Sequence, residues 1–165
     1  MNSNLRILVF GANGFIGSAI SKKFSISDSY LGLTRRDLDV RDYSEVKKSI
    51  ADFKPTVVIN ATGKVAGIQG NIDAPVNLMS DNSENLLSIT KACHDLKILK
   101  MIQFASACIY PPNELSASKP EDLGTGVIEQ TSKAYAISKI FGVELFDSYR
   151  KQFGYQWSTI IPTNL

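Results

Sequence analysis

An apolar run, Leu5-Arg-Ile-Leu-Val-Phe10, stops abruptly at Gly11-Ala12-Asn13-Gly14-Phe15-Ile16-Gly17, and a helix-like segment from Ser18 to about Phe24 follows. Few arrangements accommodate a buried strand, three glycines and a helix in that order. Glycine at 11 permits a tight turn. Glycine at 14 lets the backbone approach a phosphate, and glycine at 17 lets the helix pack closely on the strand. The helix N-terminus then offers unpaired N–H groups and the positive end of its dipole to an anion. A plain strand-to-helix turn rarely needs three glycines. The spacing is G-x-x-G-x-x-G rather than G-x-G-x-x-G. The segment from Gly11 to Gly17 is therefore expected to hold the pyrophosphate of a dinucleotide.

The rest of the chain repeats the alternation. A second strand is expected over Tyr30–Thr34, running into Arg35 and Arg36. Two guanidiniums suit a 2′-phosphate, which favours NADP(H) over NAD, although Asp37 leaves room for NAD. Asp39 and Val40 join the expected cofactor site. Asp42 is the expected N-cap of a helix running to about Phe53. Pro55–Asn60 reads as a third strand, ending in the small residues Ala61, Thr62 and Gly63, which leave room for cofactor. The stretch from Lys64 to Pro75, with Gly67 and Gly70, reads as a loop. A long helix from about Val76 to Leu96 carries Asp81, Asn82, Ser83, Glu84 and Asn85; some of them are candidates to face the site, and most are expected as an exposed polar patch. His94, near its end, reads as a surface or capping residue.

Met101–Ala105 is the expected fourth strand and delivers Ser106 and Cys108, which both face the cleft if the stretch stays extended. Residues 113–131 read as a polar loop. A helix from Lys133 to about Gln152 and a strand over Tyr155–Ile161 complete the pattern before Pro162-Thr163-Asn164-Leu165. Alternating strands and helices joined by right-handed crossovers give an α/β fold, a doubly wound parallel sheet of Rossmann type. Residues 1–165 are expected to form one NAD(P)-binding domain.

Composition narrows the partners. With 165 residues, 44% of them hydrophobic, the chain has enough material for a real core. A net charge of +2 without a long basic run gives no electrostatic support for nucleic-acid binding. No apolar run is long enough to span a membrane, and the N-terminus does not read as a signal peptide. Cys93 and Cys108 lie far apart and have no metal-type spacing with His94, so a reduced, cytoplasmic protein without a metal is expected.

Tyr135 and Lys139 lie four apart on one helix face, so a phenol and an ammonium share one space. A cation one turn away is expected to lower the phenol's pKa and to make Tyr135 usable as a proton donor to a carbonyl oxygen. The same helix is apolar on more than one face, which predicts a homodimer through the helices near 76–96 and 133–152.

Ser106, Tyr135 and Lys139 behind the glycine turn resemble the extended short-chain dehydrogenase/reductase superfamily. The segments Ala61-Thr-Gly-Lys-Val-Ala-Gly-Ile68, Ser106-Ala-Cys-Ile-Tyr-Pro111, Tyr135-Ala-Ile-Ser-Lys-Ile-Phe-Gly142 and Pro162-Thr-Asn-Leu165 look like the GDP-L-fucose synthase family. That resemblance implies NADPH-dependent epimerisation and reduction of GDP-4-keto-6-deoxy-D-mannose, a nucleotide-sugar substrate. It implies that Tyr135 protonates the C4 oxygen, that Ser106 hydrogen-bonds it, and that Lys139 binds the nicotinamide ribose. Cys108 would serve as acid/base in the epimerisations, and Pro162 to Leu165 would line the nicotinamide side. The family also uses a histidine beyond its Pro-Thr-Asn-Leu segment and a C-terminal part that grips the sugar nucleotide. The resemblance therefore implies a cofactor-binding portion of a longer enzyme, itself poorly active. Gly67-Ile-Gln-Gly70 departs from the family's asparagine-rich loop. Another nucleotide-sugar epimerase, dehydratase or reductase, or a non-catalytic dinucleotide sensor or scaffold, remains open.

Overall fold

Four short strands with β-branched or aliphatic cores and a fifth carrying a tryptophan form one parallel sheet in a computed structural model that describes residues 5–26, 29–111, 119–123 and 125–162. The strands are β1 (Ile7–Phe10), β2 (Tyr30–Leu33), β3 (Val57–Asn60), β4 (Lys100–Phe104) and β5 (Gln156–Ile160), in the spatial order β2-β1-β3-β4-β5. Every residue of β1 is buried, as expected of a central parallel strand covered on both faces. The connections are α1 (Phe15–Phe24), α2 (Tyr43–Phe53), α3 (Ile68–Asp73), α4 (Pro75–Asp95) and α5 (Lys133–Phe153).

Strand residues alternate between two apolar layers. Leu8, Phe10, Val58, Met101 and Trp157 point into the larger one, which Val46 and Ile50 of α2, Ile89 and Cys93 of α4 and Phe146 of α5 complete. Ile7, Val9 and Ile59 point the other way, into a smaller cluster that Ile20 and Phe24 of α1 pack against. The indole N–H of Trp157 donates to the Ile98 carbonyl at 3.0 Å, so the largest core side chain leaves no donor unpaired.

The chain turns from β1 to one side to reach β2, then crosses back over β1 to reach β3. Loops leaving the carboxyl ends of β1 and β3 therefore diverge and open a crevice between them. Ligands of doubly wound sheets bind at such a switch point. The expected Rossmann architecture is present.

Local differences have physical causes. The first helix begins at Phe15 rather than Ser18, with Gly14 as its N-cap. The second helix starts where expected, because the Asp42 carboxylate accepts from the Ser44 and Glu45 N–H groups. Lys64–Pro75 is not all loop. Ile68–Asp73 forms α3, closed by backbone bonds from Asn71 to Gly67 and from Ala74 to Gly70. Gly67 at its N-cap and Gly70 inside it hid a helix too short to show a periodicity. His94 lies in the last turn of α4, as expected, but is not simply a surface residue. It is half-buried, its Nδ1 lies 2.9 Å from the Tyr155 hydroxyl, and Phe153 and Tyr149 pack against its ring. Among the described residues no helix is long and apolar enough to cross a membrane.

Candidate functional site

A cleft of about 300 Å³ opens at the switch point, within the size range of ligand pockets. Its floor is the turn after β1. Gly11 has φ 80°, and a Cβ there would lie 2.8 Å from the Ala61 carbonyl carbon and oxygen. The N–H groups of Gly11 and Ala12 both donate to the Leu33 carbonyl, and that of Ala61 donates to Phe10. The ends of β1, β2 and β3 are thus stitched together under the cleft. Gly11, Asn13 and Gly14 line it. Ala12, Phe15, Ile16 and Gly17 shape the turn without lining the cleft; Ala12 packs into the smaller core, and Phe15 is exposed.

The start of α1 is where an anion fits. The first turn of a helix has N–H groups with no intrahelical partner. At α2 the Asp42 side chain satisfies two of them, whereas no side chain caps α1. Uncapped N–H groups at the edge of a glycine-lined cleft suit the pyrophosphate of a dinucleotide.

A second wall comes from the segment after β2, where Thr34, Arg35, Asp39, Val40 and Arg41 face the cleft. Arg36 does not line it. Asp37 is turned back on the chain, accepting from the Thr34 N–H at 2.7 Å and the Thr34 hydroxyl at 2.8 Å. The Asp39 carboxyl is held down to about 2, first by hydrogen bonds from the Arg41 side chain. Arg41 also approaches Asp81 of α4 at 3.6 Å, and Lys64 bonds the same carboxylate at 2.7 Å.

Ala61, Thr62 and Gly63, after β3, form the third wall. Asn82 clamps this wall to α4. Its Oδ1 accepts from the Lys64 N–H at 2.9 Å, and its Nδ2 donates to the Lys64 carbonyl at 3.0 Å. The polar run of α4 is therefore no exposed patch. Asn82 is buried, and Asp81 and Asn85 line the cleft; of Asp81, Asn82, Ser83, Glu84 and Asn85 only Glu84 is exposed.

At Gly63 the cleft wall stands next to Lys139. A Cβ on Gly63 would lie 3.4 Å from the Lys139 Nζ. Lys139 donates to the Phe104 carbonyl at 3.3 Å, and its Nζ stands 5.6 Å from the centre of the Tyr135 ring. One buried side-chain bond ties α5 to the sheet: Gln103 of β4 donates to the Gly142 carbonyl at 2.7 Å, and also to the Thr159 hydroxyl of β5 at 2.8 Å, while within α5 the Ser138 hydroxyl donates to the Tyr135 carbonyl at 2.6 Å. Beyond β4, Ser106 is extended, but Ala107–Ile109 coil into a 3-10 turn instead of staying extended. The Ser106 side chain nevertheless stands close enough to both the Cys108 thiol and the Tyr135 phenol to favour the ionised form of each. Ser106, Cys108, Tyr135 and Lys139 form one cluster.

Burial dominates the electrostatics of that cluster. It pushes the Tyr135 phenol up, and the neighbouring Cys108 adds to the rise while Ser106 opposes it. Burial also pushes the Cys108 thiol up, against Ser106 and Lys139, and pushes the Lys139 ammonium down. The expectation that Lys139 lowers the Tyr135 pKa is therefore corrected. The ammonium addresses the Phe104 carbonyl and the face of the ring, and desolvation of the phenolate outweighs its field. Near neutral pH the phenol and the thiol both carry their protons.

Sequence reasoning missed Arg41 and Lys64 as parts of the site; the density of polar residues on α4 pointed to the site without telling which of them face it. Pro162 is half-buried beyond β5; Thr163, Asn164 and Leu165 lie outside the described residues.

The NAD dependent epimerase/dehydratase family profile matches residues 7–165. The chain is 35% identical to a GDP-L-fucose synthase of Sinorhizobium fredii over 161 residues, covering 97% of the chain and 51% of the relative. It is 33% identical to the GDP-L-fucose synthase of Escherichia coli over 165 residues, covering 99% and 51%. A crystal structure of a GDP-L-fucose synthetase from Naegleria fowleri bound to NADP superposes with a TM-score of 0.84 at 28% identity, covering 99% of this chain and 55% of that one. The chain spans about half the length of the curated relatives it matches.

Proposed function

We propose a function from one premise: the chain belongs to the NAD dependent epimerase/dehydratase family. It serves as the cofactor-binding portion of an NADPH-dependent enzyme that epimerises and reduces GDP-4-keto-6-deoxy-D-mannose to GDP-L-fucose. The observation that carries this reading is the joining of two features. An uncapped helix N-terminus with arginines along the cleft suits a phosphorylated dinucleotide, and the cleft wall at Gly63 stands next to Lys139 of a Ser–Cys–Tyr–Lys cluster. The GDP-sugar comes from the names of the relatives, and the NADP preference is supported by the Naegleria structure. A sensor or scaffold without turnover has no need of both Tyr135 and Lys139.

NADPH, when bound, supplies the hydride. Gly11, Gly14 and the start of α1 would hold its pyrophosphate, Arg35 its 2′-phosphate, and Lys139 its nicotinamide ribose. Tyr135, protonated because burial raises its pKa, gives its proton to the C4 oxygen of the sugar. The Ser106 hydroxyl donates a hydrogen bond to that oxygen. The positive charge of Lys139 limits the cost of the phenolate left behind. Before reduction, Cys108 exchanges a proton on the carbon beside the ketone, and donors on the carbonyl oxygen stabilise the enolate. His94 cannot act as a second acid/base, because it is bonded to Tyr155 in an aromatic cluster.

Fluorescence titration tests the first half of the reading. The 165-residue chain is expected to bind NADPH but to consume none, or very little, with GDP-4-keto-6-deoxy-D-mannose. Absence of NADPH binding would overturn the dinucleotide assignment, and rapid turnover would overturn the need for a further substrate-gripping part. We also propose a homodimer through α4 and α5, which expose Leu87 and Ile137. Sedimentation velocity should show mass-action dimerisation; a monomer at every concentration tested would sink that proposal.

A further inference from the structure

Tyr135 sits in the first turn of α5, yet Ser132, the residue at the N-cap of that helix, makes no side-chain cap. The cap comes from upstream. Glu129 precedes a 3-10 turn, Gln130–Ser132, that runs directly into α5. Its Oε1 accepts from the Thr131 N–H at 2.9 Å, and its Oε2 accepts from the Ser132 N–H at 3.1 Å and the Ser132 hydroxyl at 3.0 Å. The Thr131 hydroxyl donates to the same carboxylate. Helix starts are ordinarily capped by the shorter Ser, Thr, Asp or Asn. Here one longer side chain satisfies two N–H groups and two hydroxyls together. These bonds, the Thr131 hydroxyl's first, hold the Glu129 carboxyl below its usual value, so it is an anion near neutral pH. On its other side the turn is backed by α3.

A fixed anion here has two neighbours that matter. One is Tyr135, on the helix that the clamp begins. The other is Cys108, on the 3-10 turn Ala107–Ile109 that packs against α5. Burial sets the Cys108 thiol above its usual value; the Ser106 side chain and Lys139 pull it down, and Glu129 pushes it further up. Tyr135 is coupled to the same thiol. A group that takes a proton from carbon and returns one works best when neither of its forms is locked in. Lys139 and Glu129 act on Cys108 in opposite directions.

We propose that Glu129 is a positioning residue of the Ser–Cys–Tyr–Lys cluster: its carboxylate closes the turn that delivers Tyr135 and places a fixed negative charge within reach of Cys108, opposite in sign to Lys139. This rests on the catalytic reading of the cluster given above, but its test does not depend on NADPH.

Iodoacetamide alkylation of the 165-residue chain across pH, with the labelled cysteine located by peptide mass, reads the charge, because the thiolate is the nucleophile. Cys108 is half-buried and Cys93 wholly buried, so label is expected at Cys108 alone. Glu129→Gln removes the charge and keeps an acceptor. It should lower the pH midpoint of Cys108 alkylation, with about 2-fold more thiolate at a given pH below the midpoint, the size of one exposed charge acting through solvent. The difference should shrink at about 1 M salt. Glu129→Asp, which keeps the charge, should stay closer to wild type. Amide hydrogen exchange reads the clamp: the Thr131 and Ser132 N–H groups should exchange roughly 5-fold faster or more in Glu129→Ala.

A midpoint unmoved or raised by Glu129→Gln, a shift that persists at high salt, an aspartate variant that moves as far as glutamine, or unchanged exchange at Thr131 and Ser132 overturns the assignment. Glu129 is exposed and belongs to neither apolar cluster, so the variants are expected to fold. Labelling of Cys93 would reveal one that does not, and wild-type Cys108 then decides. Salt screens the exposed Glu129 more than the inward Lys139, so wild-type reactivity should rise with salt, and a fall overturns the assignment. A chain that shows the Glu129 effects yet binds no NADPH overturns the functional reading alone.

Discussion

Tyr135→Phe in the full-length enzyme is expected to abolish ketone reduction while leaving NADPH affinity nearly unchanged. The substitution removes one hydroxyl and keeps the ring. The helix that carries it stays put, because Gln103 bonds the Gly142 carbonyl and Phe146 packs into the core, and neither contact involves the phenol. What is lost is the proton for the C4 oxygen, a contribution of about 100- to 10,000-fold for a positioned general acid. Lys139 cannot replace it from its place at the Phe104 carbonyl. The pH dependence has a definite sign. Burial raises the phenol's pKa above 10.0, so the acid form is intact through neutrality, and reduction should fall only as pH rises through that raised value. A variant that kept reduction within tenfold of wild type would remove Tyr135 from the chemistry. One that lost NADPH binding in parallel would make it a structural residue.

How much of this was readable in advance depends on whether a feature is local. The turn from Gly11 to Gly17 and the Tyr135–Lys139 pair are complete within a few residues, so their geometry follows from strand, turn and helix rules alone. Asp42 capped its helix as its position required. Arg41 was not legible as part of the cleft, because its neighbours Asp81 and Lys64 reach it through a helix and a loop far along the chain. Spacing also gives proximity without burial. Four residues on a helix placed Lys139 near Tyr135, but only the packed structure shows that desolvation reverses the expected shift. The polar residues of α4 misled for the same reason: the loop that Asn82 clamps comes from the end of another strand. Short α3 lies below the length at which an apolar repeat announces a helix.

Gly17→Ala is expected to be the most damaging small substitution in the fold, and its sign makes it a sharp test. At an exposed position inside a helix, alanine in place of glycine stabilises by about 1 kcal/mol. Gly17 lies in α1, yet its Cβ would fall 2.0 Å from the Gly11 carbonyl oxygen and 2.8 Å from its carbon. Both are backbone atoms, and Gly11 cannot retreat, since it packs against Ala61 and its N–H is bonded to Leu33. Relief requires α1 to lift from β1, which opens the smaller apolar cluster around Val9 and Ile20. Overpacking of this kind costs about 3 kcal/mol or more, a fall in melting temperature on the order of 10 °C for a domain of this size. Gly67→Ala is the matched control: its Cβ would meet nothing within 4 Å, so urea midpoints should barely move. Lifting α1 also withdraws its uncapped N–H groups from the cleft, so NADPH affinity should fall even at temperatures where Gly17→Ala remains folded. A Gly17→Ala chain as stable as wild type would mean that helix and strand do not meet this closely, and the seat proposed for the pyrophosphate would lose its geometric basis.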